Sequence, residues 1–316
     1  MNWLHFLGRL EEPKAKALPF ADRLADFAAF QCEERGLSSV TIRAQSWHVE
    51  KFLSWLGEQN RSFEDVCLED VDTFLAGNGK RSWGRVSIAT SAKALRAFFR
   101  HAEVRGWCAA NIAAGIDSPR LFQQEGLPAG PPWPDVQRLI ASAGGDSARD
   151  IRDRAILMLL ATYGLRSGEV AGLCLKDLNW ENETVSIARS KTRSAQKYPL
   201  VNEVGEAILR YLQQVRPRCT RRELFLTLKA PFRRLSQGSL YHLVSTRLDV
   251  LGIHVPRRGP HSLRHACAGH LLAEGFSLKE IGDHLGHRSA EATRIYAKVD
   301  LAGLREVANF DLGGLR

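Results

Sequence analysis

The chain has 316 residues, more than one ordinary core needs and enough for two domains. Its hydrophobic content of 44% and charged content of 25% are those of a folded globular protein and exclude a disordered polyelectrolyte. The formal net charge of +9 points to a polyanionic partner, with DNA or RNA ahead of an acidic membrane.

The first part of the chain reads as helices. Phe20, Leu24, Phe27 and Phe30 recur at helical spacing. A second helix is expected with Ser38 or Ser39 as its N-cap and with Trp47, Phe52, Leu53 and Leu56 on or near one face. A short acidic helix follows around Asp70 to Leu75 and should break at Gly77-Asn78-Gly79. A fourth helix runs from about Ser87 to Arg105, turns Leu95, Phe98, Phe99 and Ala102 inward, and stops at Gly106. Lys80, Arg81, Arg85, Lys93, Arg96 and Arg100 cluster on this last pair, either as a track for a DNA backbone or as a solvated face.

Between Ser118 and Pro134 the chain holds Pro119, Pro128, Pro131, Pro132 and Pro134, with Gly126 and Gly130. Proline cannot continue a helix, so residues 119–133 are expected to be an extended linker between domains 1–118 and 134–316. The second part is mixed. Helices are expected from Pro134 to Ile140 and from Asp150 to Thr162, ending at Gly164. Thr184 to Ile187 alternates like a strand, Lys197 to Val201 reads as its partner, and Lys191 and Arg193 lie in the connection. Further helices follow over about 202–215, 239–251, 261–273, 278–285, 290–296 and 301–309. The class is therefore mainly α with a small β-hairpin or sheet, an α+β protein.

The six cysteines, Cys32, Cys67, Cys108, Cys174, Cys219 and Cys267, form no C-x-x-C pair and read as reduced, mostly buried thiols of a cytoplasmic protein. Met1 to Phe6 lacks the basic start and apolar run of a secretory signal. The longest apolar run, Ala155 to Ala161, is far short of the ~20 residues a membrane span needs.

The chemistry is concentrated late in the chain. Gly164-Leu165-Arg166-Ser167-Gly168-Glu169, then Lys191, then His261-Ser262-Leu263-Arg264, then His284-Leu285-Gly286-His287, then Tyr296 supply what metal-free cleavage of a phosphodiester requires. Charge on the non-bridging oxygens must be neutralised, a nucleophile must attack in line, and the departing oxygen needs a proton. Arginine suits the first task because its planar fork donates two parallel hydrogen bonds and stays charged. His261 and Arg264, three residues apart, share a helix face behind Pro260, where free amides already favour an anion. His261 and His287 can donate to the same phosphate or handle protons. Lys191 can protonate the leaving oxygen, with Arg193 and Lys197 as neighbouring alternatives. Tyr296 offers a phenolic nucleophile whose covalent adduct conserves the bond energy needed for resealing. Glu169 is expected to orient Arg166 or cap its helix.

Taken together, the order Arg…Lys…His-x-x-Arg…His…Tyr resembles the tyrosine recombinases, or phage integrases. The resemblance implies a helical, SAM-like core-binding domain and a catalytic domain forming a clamp on double-stranded DNA, and a tetrameric synapse with accessory proteins in some cases. It makes Arg166 the first catalytic arginine, Lys191 the hairpin lysine, His261 and Arg264 the His-x-x-Arg pair, His287 the residue that is histidine or tryptophan in this family, and Tyr296 the nucleophile. It places Glu169 at the family's acidic position, requires no cofactor, and implies packing of Asp300 to Arg316, through Val299, Leu301, Leu304, Val307 and Phe310, on a neighbouring subunit. Leu37 to Ile42, Ala94 to Phe99 and Asn111 also resemble the core-binding domain. The biological setting it suggests is a phage or other mobile element.

Three rival readings remain at this point. A type IB topoisomerase-like enzyme would use the same chemistry as a monomer. A DNA-binding regulator would use the scaffold without the chemistry. His261 and His265, with His270, His284 and His287 behind them, could hold zinc, against which stands the repulsion of a cation by two neighbouring arginines.

Overall fold

The computed structural model describes residues 18–121, 130–189, 194–287 and 291–296. Two compact units divide the chain between Glu125 and Gly126. The first unit is helical: α1 (Ala21–Glu33), α2 (Ser39–Glu58), α3 (Leu68–Arg81), α4 (Arg85–Val104) and the single turn α5 (Ile112–Gly115). Ser38 caps α2, its hydroxyl accepting the Thr41 N–H. The inward residues of α1, α2 and α4 meet in an aromatic core, where Phe27 sits edge-on to Phe98 at 5.3 Å and Phe52 edge-on to Phe99 at 5.6 Å.

Three expectations need correction, two for this unit and one for the chain's thiols. The Gly77-Asn78-Gly79 stretch does not break α3, which continues to Arg81. The Asn78 amide donates to Phe74 O at 2.8 Å, and the buried Phe74 and Leu75 hold the helix against its neighbours, outweighing a glycine penalty of about 1 kcal/mol each. Trp47 is not inward: it is 48% exposed and stacks against Trp83. Its position lies off the arc of Val49, Phe52, Leu53 and Leu56, all fully buried. Nor are the thiols mostly buried. All six cysteines are free, but only Cys267 is buried, while Cys32, Cys67 and Cys219 are exposed. Cys67 is the N-cap of α3 and Cys219 lies in a loop, positions that the packed faces do not cover.

The second unit is built around α7 (Ala148–Thr162), which packs against α6 (Trp133–Ala141), α9 (Asn202–Gln214) and α11 (Pro260–Ala273). Burial on all sides explains why its apolar residues form a continuous run rather than a stripe. A short helix α8 (Ser167–Gly172) leads to an antiparallel sheet of β1 (Leu178–Asn179), β2 (Thr184–Arg189) and β3 (Ser194–Pro199), in the order β1-β2-β3. On β2 the alternation puts Val185, Ile187 and Arg189 on the core face. The Tyr163 hydroxyl ties the end of α7 to the end of β3, donating to Pro199 O and accepting the Val201 N–H, both at 2.9 Å.

Then come α10 (Gln237–Val250), α12 (Leu278–Leu285) and α13 (Glu291–Arg294), the last continuing through Ile295 and Tyr296 as a tighter 3₁₀ turn. At the other end of this unit, residues 130–133 of the expected linker are packed rather than free. Gly130 lies against the α11 backbone, where a Cβ would stand 2.4 Å from Ala266 N, and Trp133 stacks on His270 at 4.0 Å. The expected helix 301–309, its apolar anchors and residues 190–193 lie outside the described residues.

Candidate active site

Arg264 is the hub of the second unit's charged cluster. It is 2% exposed, and its guanidinium donates to Gly164 O at 2.6 Å and to Leu285 O at 2.8 Å. One side chain on α11 thus fastens the loop before Arg166 and the turn before His287. Both connections need glycine. Gly164 has φ +57°, and a Cβ there would meet Leu285 at 2.4 Å; Gly286 has φ +62°, and a Cβ there would meet the Arg189 guanidinium at 2.6 Å. Desolvation, then the nearby charge of Arg166, bring the Arg264 pKa down to about 10.

Arg166 is the N-cap residue of α8 and remains partly exposed. Glu169, buried in the first turn, accepts the Arg166 backbone N–H at 2.8 Å and its guanidinium at 2.9 Å. Its other salt bridge, at 2.7 Å, is to Arg189, which is 3% exposed. Burial opposes the charge on Glu169, but the Arg166 amide and the Arg189 and Arg166 guanidinium groups more than offset it, and its pKa falls. Arg189 also donates to Gln196 at 3.0 Å and to the Tyr198 hydroxyl. Tyr198 in turn donates to His284 O. The hairpin is thereby joined to the end of α12.

His261 stands exposed in the first turn of α11; partial desolvation and the charges of Arg264, Arg257 and Arg166 lower its pKa. His265, one turn on, sits edge-on to His261 at 4.5 Å. Its Nδ1 is 2.9 Å from the Tyr296 hydroxyl. Desolvation, then charged neighbours, bring His265 and His287 each to about 4, so both rings are neutral at pH 7. His287 Nδ1 pairs with the Thr293 hydroxyl at 2.6 Å. Tyr296 is 2% exposed in a pocket of Cys267, Ala268, Ile281 and Leu285, and desolvation pushes its phenol up to about 12. The histidines considered for zinc are thus spread over different tasks: His270 stacks on Trp133 and His284 Nε2 lies 3.2 Å from Thr162 O. Among the described residues no three His, Cys, Asp or Glu groups are arranged to hold a metal ion.

Of the residues singled out by sequence, Arg166, Glu169, His261, Arg264, His287 and Tyr296 come together in this cluster; Lys191 and Arg193 lie outside the described residues. Sequence reasoning missed Arg189 and Thr293, and read His265 only as a zinc candidate or as a structural residue or minor phosphate contact. The period-two pattern of β2, carried one step past Ile187, marks Arg189 as inward. Thr293 lies one helical turn before Tyr296, on its face. His265 was marked by its spacing of four from His261, but nothing in the sequence pointed it at Tyr296.

In the first unit, Lys80, Arg85, Lys93 and Arg100 are exposed, and the side chain of Arg81 is not among those described. Arg85 donates to Arg120 O at 2.7 Å. Lys93, Arg96 and Arg100 lie on one face of α4 and line, with Arg35, a concavity of about 640 Å3. Arg96 is partly committed to structure, donating to Ile116 O at 2.6 Å and Ser118 Oγ at 3.0 Å.

The model of the phage integrase family matches residues 134–302, more than half the chain, and that of the phage integrase N-terminal SAM-like domain matches residues 24–106. The chain belongs to the phage integrase family of tyrosine recombinases. These recombinases are DNA strand-transferring enzymes. Among its relatives, "Putative integrase/recombinase y4rA" of Sinorhizobium fredii is 37% identical over 279 residues, 87% of this chain and 67% of that protein. Tyrosine recombinase XerC of Thermodesulfovibrio yellowstonii is 28% identical over 279 residues, covering 87% and 90%. The recombinase shares its fold with XerH bound to a palindromic difH substrate, with a TM-score of 0.66, 18% identity and coverage of 97% and 92%. It shares it also with the Tn1549 transposon integrase in complex with transposon right end DNA, with a TM-score of 0.65, 19% identity and coverage of 90% and 99%. Among the described residues, no helix is long and apolar enough to cross a membrane.

Proposed function

We propose that this recombinase cuts and rejoins duplex DNA at a specific site through a 3′-phosphotyrosyl intermediate, on behalf of a phage or other mobile element. The observation that carries the chemistry is the anchoring of Arg264 to both Gly164 O and Leu285 O, which gathers Arg166, His261, His287 and Tyr296 at one end of the second unit. Arg166 and Arg264 neutralise the scissile phosphate, with Glu169 aiming Arg166. His261 and His287 donate to its oxygens. As the Tyr296 oxygen forms a bond to phosphorus its proton passes to the unprotonated ring nitrogen of His261, the bond from phosphorus to the 5′ oxygen breaks, and Lys191 protonates the departing oxygen. Resealing runs the same steps backwards.

Residues 1–118 act as the core-binding domain and 134–316 as the catalytic domain, joined by 119–133. Lys93 and Arg100, with Lys80, Arg81, Arg85, Arg96 and Arg193, contact the DNA backbone, and the active assembly is a tetrameric synapse. The mobile-element setting is supported by the integrase/recombinase relatives and by the fold shared with a transposon integrase.

The test is covalent trapping on a nicked suicide substrate carrying the element's end. A protein–DNA adduct lost in Tyr296→Phe supports the reading; no adduct at a genuine site despite tight binding would favour a DNA-binding regulator. Exchange between two sites then separates a recombinase from a topoisomerase-like enzyme.

A further inference from the structure

The segment that carries Tyr296 is short: one turn of α13 and the 3₁₀ turn after it. Two side-chain hydrogen bonds tie it to the phosphate-binding elements. Thr293 and Tyr296, one turn apart, place their hydroxyls on Nδ1 of His287 at 2.6 Å and on Nδ1 of His265 at 2.9 Å. His265 is itself set against His261 by a ring contact of 4.5 Å and follows Arg264 directly on α11. It is therefore the side chain that joins the tyrosine hydroxyl to the helix bearing His261 and Arg264.

We propose that His265 is a positioning residue that aims the Tyr296 hydroxyl at the scissile phosphate; the proposal rests on the reading of Tyr296 as the nucleophile. With the phenol donating to Nδ1, both lone pairs of its oxygen stay available for phosphorus, and the ring proton sits on Nε2. A ring that stays neutral at pH 7 suits this role better than that of a proton acceptor, because the surrounding arginines disfavour an imidazolium. Thr293 does the same for His287: a hydroxyl on Nδ1 leaves Nε2–H to donate to the phosphate. The apolar walls fix the Tyr296 ring and its oxygen but not the rotation of its O–H, since Cys267, Ala268, Ile281 and Leu285 offer no strong acceptor.

The experiment compares wild type with His265→Ala, His265→Asn and Tyr296→Phe in single-turnover cleavage of a nicked suicide substrate at saturating DNA, with DNA affinity and melting temperature measured on the same proteins. Asn at 265 places a side-chain oxygen near the position of Nδ1. We expect His265→Ala to slow cleavage about 100-fold, the scale of a small misplacement of a reacting group, with affinity and melting temperature close to wild type. His265→Asn should recover about tenfold of that loss. Cleavage by His265→Ala at or above the wild-type rate would overturn the proposal. Equal losses in Ala and Asn with a lowered melting temperature would do so too, by reducing His265 to a packing role. An adduct formed by Tyr296→Phe would instead overturn the nucleophile assignment, independently of His265.

Discussion

Helix α4 of the first unit and helix α11 of the second both carry arginine on a packed helix, but on opposite sides of the solvent boundary. On α4 the inward face is mainly apolar, with Leu95, Phe98, Phe99 and Ala102 fully buried beside Ser91 and His101, while Lys93 and Arg100 face water. On α11 an arginine is among the inward residues, and its guanidinium donates to two backbone carbonyls from distant segments. An exposed cation is hydrated and screened, so it acts singly and weakly. A buried arginine is held by the acceptors it binds, so removing it strands its partners and loosens the elements it joined. The same residue type is thus left to solvent in one unit and tied into the buried interior in the other.

The contrast is sharpest for the chemistry itself. Tyr296→Phe keeps the buried ring and should abolish adduct formation by at least roughly 10^4-fold while leaving DNA affinity nearly unchanged; trapping and mobility-shift assays on one preparation check both. Next in size is the buried network. Arg189→Leu removes a partner of Glu169, Gln196 and Tyr198, and should cost about 3–5 kcal/mol of stability in denaturant melts. A loss below about 1 kcal/mol, the scale of an exposed pair, would erase the distinction drawn between exposed and buried arginines.

A pH titration asks the same question of the histidines. His265 and His287 have folded pKa values of about 4, below the value of about 6.5 expected when unfolded, so the unfolded chain binds more protons between those limits. Their contribution is whole above pH 6.5 and is lost as the pH falls towards 4. The melting temperature of the DNA-free protein should therefore drop by several degrees from pH 7.5 to pH 5, and less steeply in His265→Asn. The smallest effect belongs to α4. Lys93→Ala and Arg100→Ala should each weaken DNA binding about tenfold and reduce the salt slope by about 0.9, with the cleavage rate at saturating DNA unchanged. A lost cleavage rate there would mean that α4 reaches further into catalysis than a backbone contact does.

Much of this was legible in residue order. Apolar spacing located the main helices to within a few residues, because a helix that packs on one face must repeat at about 3.6 residues. The spacing of His261 to Arg264 and the succession of Arg166, His287 and Tyr296 pointed to phosphoryl transfer, because that chemistry needs those groups whatever the scaffold. Where the sequence misled, a tertiary contact had overridden a local preference: buried Phe74 and Leu75 kept α3 helical through two glycines, and Trp47 fell outside the buried arc of α2.

What sequence alone determined, then, was the class of elements and a list of candidate reactive groups, since both follow from local periodicity and from the chemical nature of side chains. Tertiary structure alone decided which polar groups are buried together and which atoms they serve. Arg189 becomes a partner of Glu169 only because β2 turns it inward beside α8, and His265 meets Tyr296 across 31 residues of chain. Such pairings cost desolvation that only a complete set of partners offsets, and that set exists only once the distant segments have been brought together.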